Sequence, residues 1–568
     1  SWKSVKQFSK SHSARKSAGK VELPPLPAIT DPRLSVCLIA KNEERFLGGC
    51  LKSIRAIANQ IVVVDTGSTD RTVAIAEEHG AEVHHFTWCD DFSAARNAAL
   101  EHATGDWVLV LDADEELSPE GIAELKQAMN AANTISWRLP IVDAGKEEEG
   151  CTYVPRLFRN APGLFYVSRV HEQVFSSVEV RREEWDMETG VGTAKLIHHG
   201  YTAEVIKDRN KIARNLRLLE LAIEEIPGDP NLLMNFGLEL IRSERPAEGL
   251  SRYAEAFAAL ATKPENEVTP ELRETLLTQY SSQLMKLGRW SEILSVLTSP
   301  VAQRGGLTAS LHFTLGLAHQ ELRQWTEAVT QFRECLRTRG ESSFYLVNPI
   351  ILGGAPRHCL ALALWRSGEL ATAAQEFTVA VAEDPSLAPL RMDAARFQSE
   401  HGDAVEALKL LHGLVTENSA FVAAWVLGAR VALSHPDFIE FARDWTTEAV
   451  KHHPGNPDLI AARGETLLLT QQFADALPWW QRLDEAPRSL SARVLCELMQ
   501  GELSIDEPPV NEAETSREFL NWYRRLIQFQ AGAGVQAIGE RLELLGIVLP
   551  SAGRTLRQIL EQAAVEAA

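Results

Sequence analysis

The sequence predicts an α/β domain followed by an all-helical repeat array, on three observations. Short apolar, β-branched runs alternate with amphipathic helical stretches between Leu34 and Asp112. Helical segments later recur at a spacing near 34 residues, the period of a helix–turn–helix repeat. The polar residues of the first part gather directly after its apolar runs, where parallel sheets present their ligand sites. These patterns divide the chain into a tail and linker at 1–32, an α/β domain at 33–226, repeats at 227–504 and a linker with a helical segment at 505–568.

The elements follow in order. "SWKSVKQFSKSHSARKSAGK" carries six Lys or Arg and no acid, and "LPPLP" stiffens the chain after it. This reads as a disordered or expression-derived tail, or as an electrostatic tether for an acidic partner or anionic membrane. "LSVCLI" (34–39) is a buried strand and "EERFLGGCLKSIRAI" (43–57) a helix. "QIVVVD" (60–65) is the second strand, and "STDRTVAIAEEHG" (68–80) a helix capped by Ser68 with Asp70 in its first turn. "AEVHHF" (81–86), "DFSAARNAALEHA" (91–103) and "DWVLVLD" (106–112) continue as strand, helix and strand. Strands linked by helices imply a largely parallel sheet covered on both faces.

Composition narrows the function. The 568 residues are 45% hydrophobic and 24% charged, an ordinary soluble balance. A formal net charge of -20 argues against nucleic-acid binding, because phosphate backbones are met by basic surface. The cysteines are odd in number and show no CxxC spacing, so neither a disulfide framework nor a zinc site is indicated. With no 18-residue apolar run and no signal-peptide core, a cytoplasmic protein is expected.

"VLVLDADEEL" (108–117) places four carboxylates at the end of an apolar strand. Such charge needs a cation, an arginine or lysine, or open water. Asp112 and Asp114 flank one small residue, and hard oxygen ligands of this kind suit Mg²⁺ or Mn²⁺ together with phosphate oxygens. The plainer reading is a solvated helix N-terminus, since "EELSPEGIAEL" is predicted to start a helix.

The order and spacing of "LSVCLIAKNEE", "IVVVDTGSTDRT", "DFSAARNAAL" and "DWVLVLDADEEL" resemble the nucleotide-sugar-binding half of inverting family-2 glycosyltransferases with the GT-A fold, a Rossmann-like mixed sheet. The resemblance implies that Ala40, Asn42, Glu43 and Asp65 hold a uridine-type base and ribose. Arg96 and Asn97 would lie near the nucleotide, and Asp112 with Asp114 would bind the diphosphate through a divalent cation. "YVPRLFRN" (153–160), "GLFYVSRVHEQV" (163–174), "IHHGYT" (197–202) and "KIARNLRLLE" (211–220) look like the branch that carries tetratricopeptide repeats, in which protein- and peptide-modifying enzymes occur. In that branch His198 would complete the metal site, whereas His199 stands where an aromatic residue is expected. A histidine pair in a strand is otherwise structural, one ring buried and one exposed.

Inverting transfer also needs a carboxylate that accepts the acceptor's proton. The family often draws it from a Glu-Asp pair; this chain offers His171 and Glu172 instead. Glu172 is the candidate base, with a salt bridge to Arg169 or Arg156 as its structural alternative. Arg156 and Arg159 are further candidates for the diphosphate pocket.

Repeat units are read at "PAEGLSRY" (246–253), "RWSEILSVL", "QWTEAVTQF", "LATAAQEF", "AVEALKLL" and "FADALPWW" (473–480). Their groove suits a polypeptide acceptor, and scaffold packing or self-association into a homo-oligomer is the alternative. The expected function is metal-dependent transfer of a sugar from a nucleotide diphosphate to a protein or peptide. A glycan or lipid acceptor, or a non-catalytic repeat protein that senses nucleotide sugar, stays open.

Overall fold

The structure, a computed structural model, describes residues 26, 29–145, 151–199, 205–264, 268–340 and 349–567. The chain forms two compact units, one reaching to Ala318 and the other made of His319–Arg337 and the residues from Pro349 onward.

The first unit is built on a mixed sheet of nine strands: β1 (Leu34–Ala40), β2 (Gln60–Asp65), β3 (Glu82–His85), β4 (Trp107–Asp112), β5 (Glu115–Leu117), β6 (Thr134–Asp143), β7 (Thr152–Arg159), β8 (Glu188–Val191) and β9 (Leu196–His198). Their order is β3-β2-β1-β4-β7-β6-β9-β5, with β8 beside β6. The first four strands are parallel, and β7 then adds to β4 antiparallel. β1 thus lies between β2 and β4, so the strand order reverses there and a crevice opens at the carboxyl ends.

β1 and β4 read as continuous apolar runs because both faces are covered. Val36, Leu38, Leu109 and Leu111 pack with Leu47, Leu51 and Ile54 of α1 (Leu47–Ile54). Cys37, Val108 and Val110 pack on the opposite face with Ala99. That alternation is the two-residue period of a strand. Each fully buried Val or Leu side chain contributes about 1.5–3 kcal/mol, so these strand ends are held firmly.

Helix starts differ from expectation where side chains serve the strand-end loops. The helix expected over 68–80 is α2 (Thr72–Glu78), and no side chain caps it. Ser68 is not its cap. The Ser68 amide donates to Asp65 Oδ1 at 3.0 Å, and its hydroxyl accepts from the Asn42 amide at 3.0 Å. α3 (Phe92–Glu101) is capped by Asp91, which accepts from the Ala94 amide at 3.0 Å. The acids of 112–116 do not open a helix. Glu115–Leu117 is β5, paired antiparallel with β9, and α4 (Gly121–Met129) begins only after it. Burial of Leu117 in the core outweighs the local preference of the acids for a helix start.

After the sheet, α6 (Val205–Glu225), α7 (Pro230–Arg242) and α8 (Pro246–Thr262) follow α5 (Phe175–Trp185). α7 and α8 approach closely at two glycines: a Cβ on Gly237 would lie 2.9 Å from the Gly249 carbonyl oxygen. Paired helices continue through the second unit, where Ala388–His401 precedes Ala404–Glu417 and Pro457–Leu469 precedes Phe473–Trp480. The doubled interval between Ala407 and Ala476 holds Val422–Ala432 and Ile439–His452. Phe519, Trp522 and Leu556 share one apolar core with Leu467, Trp480 and Leu495, so the C-terminal helices pack as a continuation of the repeats. The basic tail, 200–204 of the "IHHGYT" region, and 341–348 lie outside the described residues.

Candidate active site at the carboxyl end of the sheet

Three strand-end loops build the site. After β1, Asn42 takes the left-handed conformation at φ 56°, and its Oδ1 accepts from the Thr69 amide at 2.8 Å. The Glu43 amide donates to Thr72 Oγ1 at 2.7 Å, and the Ala40 carbonyl accepts from the Thr66 amide at 3.0 Å. The loops after β1 and β2 are therefore laced into one wall. Asp65 closes that wall, with its buried carboxylate turned back onto the Gly67 and Ser68 amides. Burial works to raise its pKa, but these hydrogen bonds outweigh it and hold the carboxyl below its ordinary value.

The acids after β4 divide between two kinds of cation. Asp112 accepts from Arg96 Nη2 at 2.6 Å on one oxygen and from Arg156 Nη2 at 2.7 Å on the other. The same Arg156 nitrogen lies 2.6 Å from Glu115 Oε1, and Glu115 Oε2 accepts from the Asp112 amide at 2.9 Å. Burial pushes Glu115 up to about 7, helped by the charge of Asp112 and opposed by Arg156. For Asp112 the two guanidiniums overcome the burial penalty and hold the carboxyl far below its usual range. Arg96 also donates through Nε to Glu172 Oε1 at 2.7 Å and stacks 5.5 Å from the Tyr166 ring centroid. One buried arginine from α3 thus joins the strand-end acid to the loop acid.

Asp114 goes elsewhere. Its Oδ2 lies 3.3 Å from His198 Nε2 on β9, and His198 Nδ1 lies 3.1 Å from Asp143 Oδ1 at the end of β6. The hydrogen bond to Asp114 pushes His198 up to about 9. A carboxylate and an imidazole nitrogen at this separation have the spacing of neighbouring ligands on one divalent cation, with bonds of about 2.1 Å. Asp143 stands where an outer carboxylate fixes the ring and its tautomer. The donor pair fits Mg²⁺ or Mn²⁺ with phosphate oxygens and water completing the shell. Asp112 is directed to the guanidiniums, each of its oxygens accepting from an arginine. Among the described residues no three His, Cys, Asp or Glu side chains converge as a metal group.

Other expectations are placed differently. Asn97 does not face the crevice: its amide spans the Tyr166 backbone, accepting from N at 2.7 Å and donating to O at 2.9 Å. Arg159 is buried against Trp107 and donates to the Thr134 and Ala131 carbonyls, so it does not line a phosphate pocket. The partner of Glu172 is Arg96, rather than Arg156 or Arg169. Arg169 pairs with Glu225 at 2.6 Å. His198 and His199 are both half-buried, and His199 lies 3.5 Å from Glu116. Sequence reasoning missed Glu115, Tyr166 and Asp143 as members of the site.

Residues 35–193 match the Glycosyl transferase family 2 model. A TPR repeat-containing protein of Synechococcus elongatus is 35% identical over 213 residues, covering 37% of this chain and 53% of the relative. The SPbeta prophage-derived glycosyltransferase SunS of Bacillus subtilis is 27% identical over 223 residues, covering 39% of this chain and 52% of the relative. An uncharacterized glycosyltransferase of Rickettsia conorii is 41% identical over 88 residues, 16% of this chain and 31% of that protein. The chain spans about half the length of the first two relatives. The likeness to the Glycosyl transferase family 2 model thus falls on the mixed sheet and its strand-end loops, and paired helices follow it.

Proposed function

We propose that the protein transfers a sugar from a nucleotide diphosphate, a UDP-sugar, to a polypeptide side chain presented by its repeats. The observation that carries this reading is the double engagement of Arg96, which ties Asp112 on the donor side to Glu172 on the loop that follows β7. Donor and acceptor chemistry then share one buried guanidinium.

The roles follow from placement. The wall made by Ala40, Asn42, Glu43 and Asp65 takes the base and ribose. Asp114 and His198 hold a divalent cation, which when bound neutralises charge on the leaving diphosphate. Arg156 fixes Asp112 and Glu115 so that the strand end keeps its shape. Glu172 accepts the proton of the attacking acceptor atom; among the described residues only its Oε1 is hydrogen-bonded, which leaves Oε2 for that task. The names of the relatives support the transferase half of the proposal, and a long repeat surface suits a polypeptide. Among the described residues no helix is long and apolar enough to cross a membrane. We place the reaction in the cytoplasm.

The acceptor class is tested with the full chain, Mn²⁺ and radiolabelled UDP-sugars added to bacterial lysate fractions. Label is expected in material that protease digestion releases as small peptides. Label confined to protease-resistant glycan or to solvent-extracted lipid contradicts a polypeptide acceptor.

A further inference from the structure

The loop that carries Glu172 is not self-supporting. Between Tyr166 and Gln173 two residues lie in the left-handed region, Ser168 at φ 83° and His171 at φ 52°. Such backbone is unfavourable for residues other than glycine and persists only where the surroundings impose it. Val167 and Gln173 close the loop with reciprocal amide–carbonyl bonds of 3.0 and 3.1 Å. The Arg169 carbonyl accepts from the Phe92 amide at 2.9 Å, which anchors the loop to α3. Arg96 of α3 also holds Glu172, and the Asp90 carbonyl accepts from Arg169 at 3.1 Å; the first helices after the sheet grip the loop further.

Three contacts do so. Arg169 donates to Glu225 of α6 at 3.1 and 2.6 Å. Val170 is buried among Leu218, Leu219, Leu232 and Phe236. Beside them stands Glu239 of α7, only 1% exposed, with His171 Nε2 3.4 Å from its Oε1. Arg242 Nη1 lies at 3.1 Å and Asn215 Nδ2 at 3.4 Å, while among the described residues neither Glu239 Oε2 nor His171 Nε2 has a hydrogen-bond partner, so the His171 contact is an ion pair. A carboxylate so buried is expensive, and packing of the repeat alone would be served as well by an apolar residue.

We propose that Glu239 is a positioning residue: from the first repeat helices it holds His171 in its left-handed conformation and so keeps the adjacent Glu172 seated on Arg96. The first repeat then belongs to the transferase machinery rather than to a separable acceptor platform. The consequence for catalysis rests on the reading of Glu172 as the base; the consequence for the loop does not.

The test uses the full chain carrying Glu239→Gln, which keeps the side chain's size and removes its charge. Hydrogen exchange of the amides of 167–174 should accelerate by roughly tenfold or more while those of β1 stay unchanged, as expected for local opening. In the same variant kcat for transfer should fall by roughly 10- to 100-fold with donor KM held within about twofold, because misplacement of a reacting group costs turnover rather than binding. Should Glu239→Gln fail to fold, His171→Asn removes the same contact with a residue that tolerates left-handed backbone, and the same two results are expected. Unchanged exchange of 167–174 in a folded variant overturns the proposal. Faster exchange with unchanged kcat overturns its catalytic half, and Glu172→Gln measured alongside locates the failure. An active Glu172→Gln means that the base lies elsewhere, and an inactive one means that Glu239 does not position it.

Discussion

Glu172→Gln should lower sugar transfer by roughly 10²- to 10⁴-fold, the usual worth of a general base, with donor binding unchanged. The substitution is close to isosteric, and its amide oxygen can still accept from Arg96 Nε. Arg96 also keeps Asp112, so the buried guanidinium is not left without an anion. The fold should therefore survive, and the loss should fall on proton acceptance. Initial rates of transfer and calorimetric titration of the donor separate the two effects. Near-normal transfer would remove Glu172 from the reaction, while lost donor binding would move it to the diphosphate side.

The second large effect separates two acids that look equivalent in "DADEE". Asp114→Asn should abolish cation-dependent turnover, by at least roughly 10²-fold, because a carboxylate worth several kcal/mol of charge stabilisation is replaced by a weak ligand. It should leave thermal stability near that of the unmutated protein, since Asp114 is partly exposed beside His198. Asp112→Asn should instead destabilise the first unit by about 1–3 kcal/mol, because Arg96 and Arg156 each lose one of two carboxylates while keeping Glu172 and Glu115. The sequence alone predicts that both variants fold, since both acids stand at a strand end. Thermal melting and donor turnover of the two variants, compared side by side, check the distinction. Equal melting temperatures would show that the arginines find other partners.

The strands nearest the site were legible because their signal is local. β1, β2 and β4 are apolar runs that end in polar residues, and the crevice they form follows from parallel connection alone. The fate of each acid was not legible, because it depends on strands that arrive later in the chain. Asp112 is neutralised by Arg156 only because β7 lies antiparallel to β4 with Leu157 opposite Leu109, which carries Arg156 toward the carboxyl end. A charged residue inside the apolar "TYVPRLFR" was the available sign, since it needs a buried anion. Asp114 meets His198 because β5 pairs with β9, and β5 was read as the start of a helix. Asp143 gave less signal, since nothing in "RLPIVDAG" distinguishes it from any acid at a strand end. Glu239 was invisible for another reason. In a helix read as repeat packing, one acid looks like surface, and only the fold buries it against His171.

Calorimetric titration of UDP-sugars into the full chain, with and without Mn²⁺, tests the central claim most directly. Saturable binding of a nucleotide diphosphate sugar is expected in the presence of Mn²⁺, weakened by EDTA and by His198→Ala, and weakened roughly 10- to 100-fold by Asp143→Asn as an outer-shell change. Failure of every nucleotide diphosphate sugar to bind the folded protein in Mn²⁺, or binding that neither EDTA nor the His198 and Asp143 substitutions alter, would contradict it.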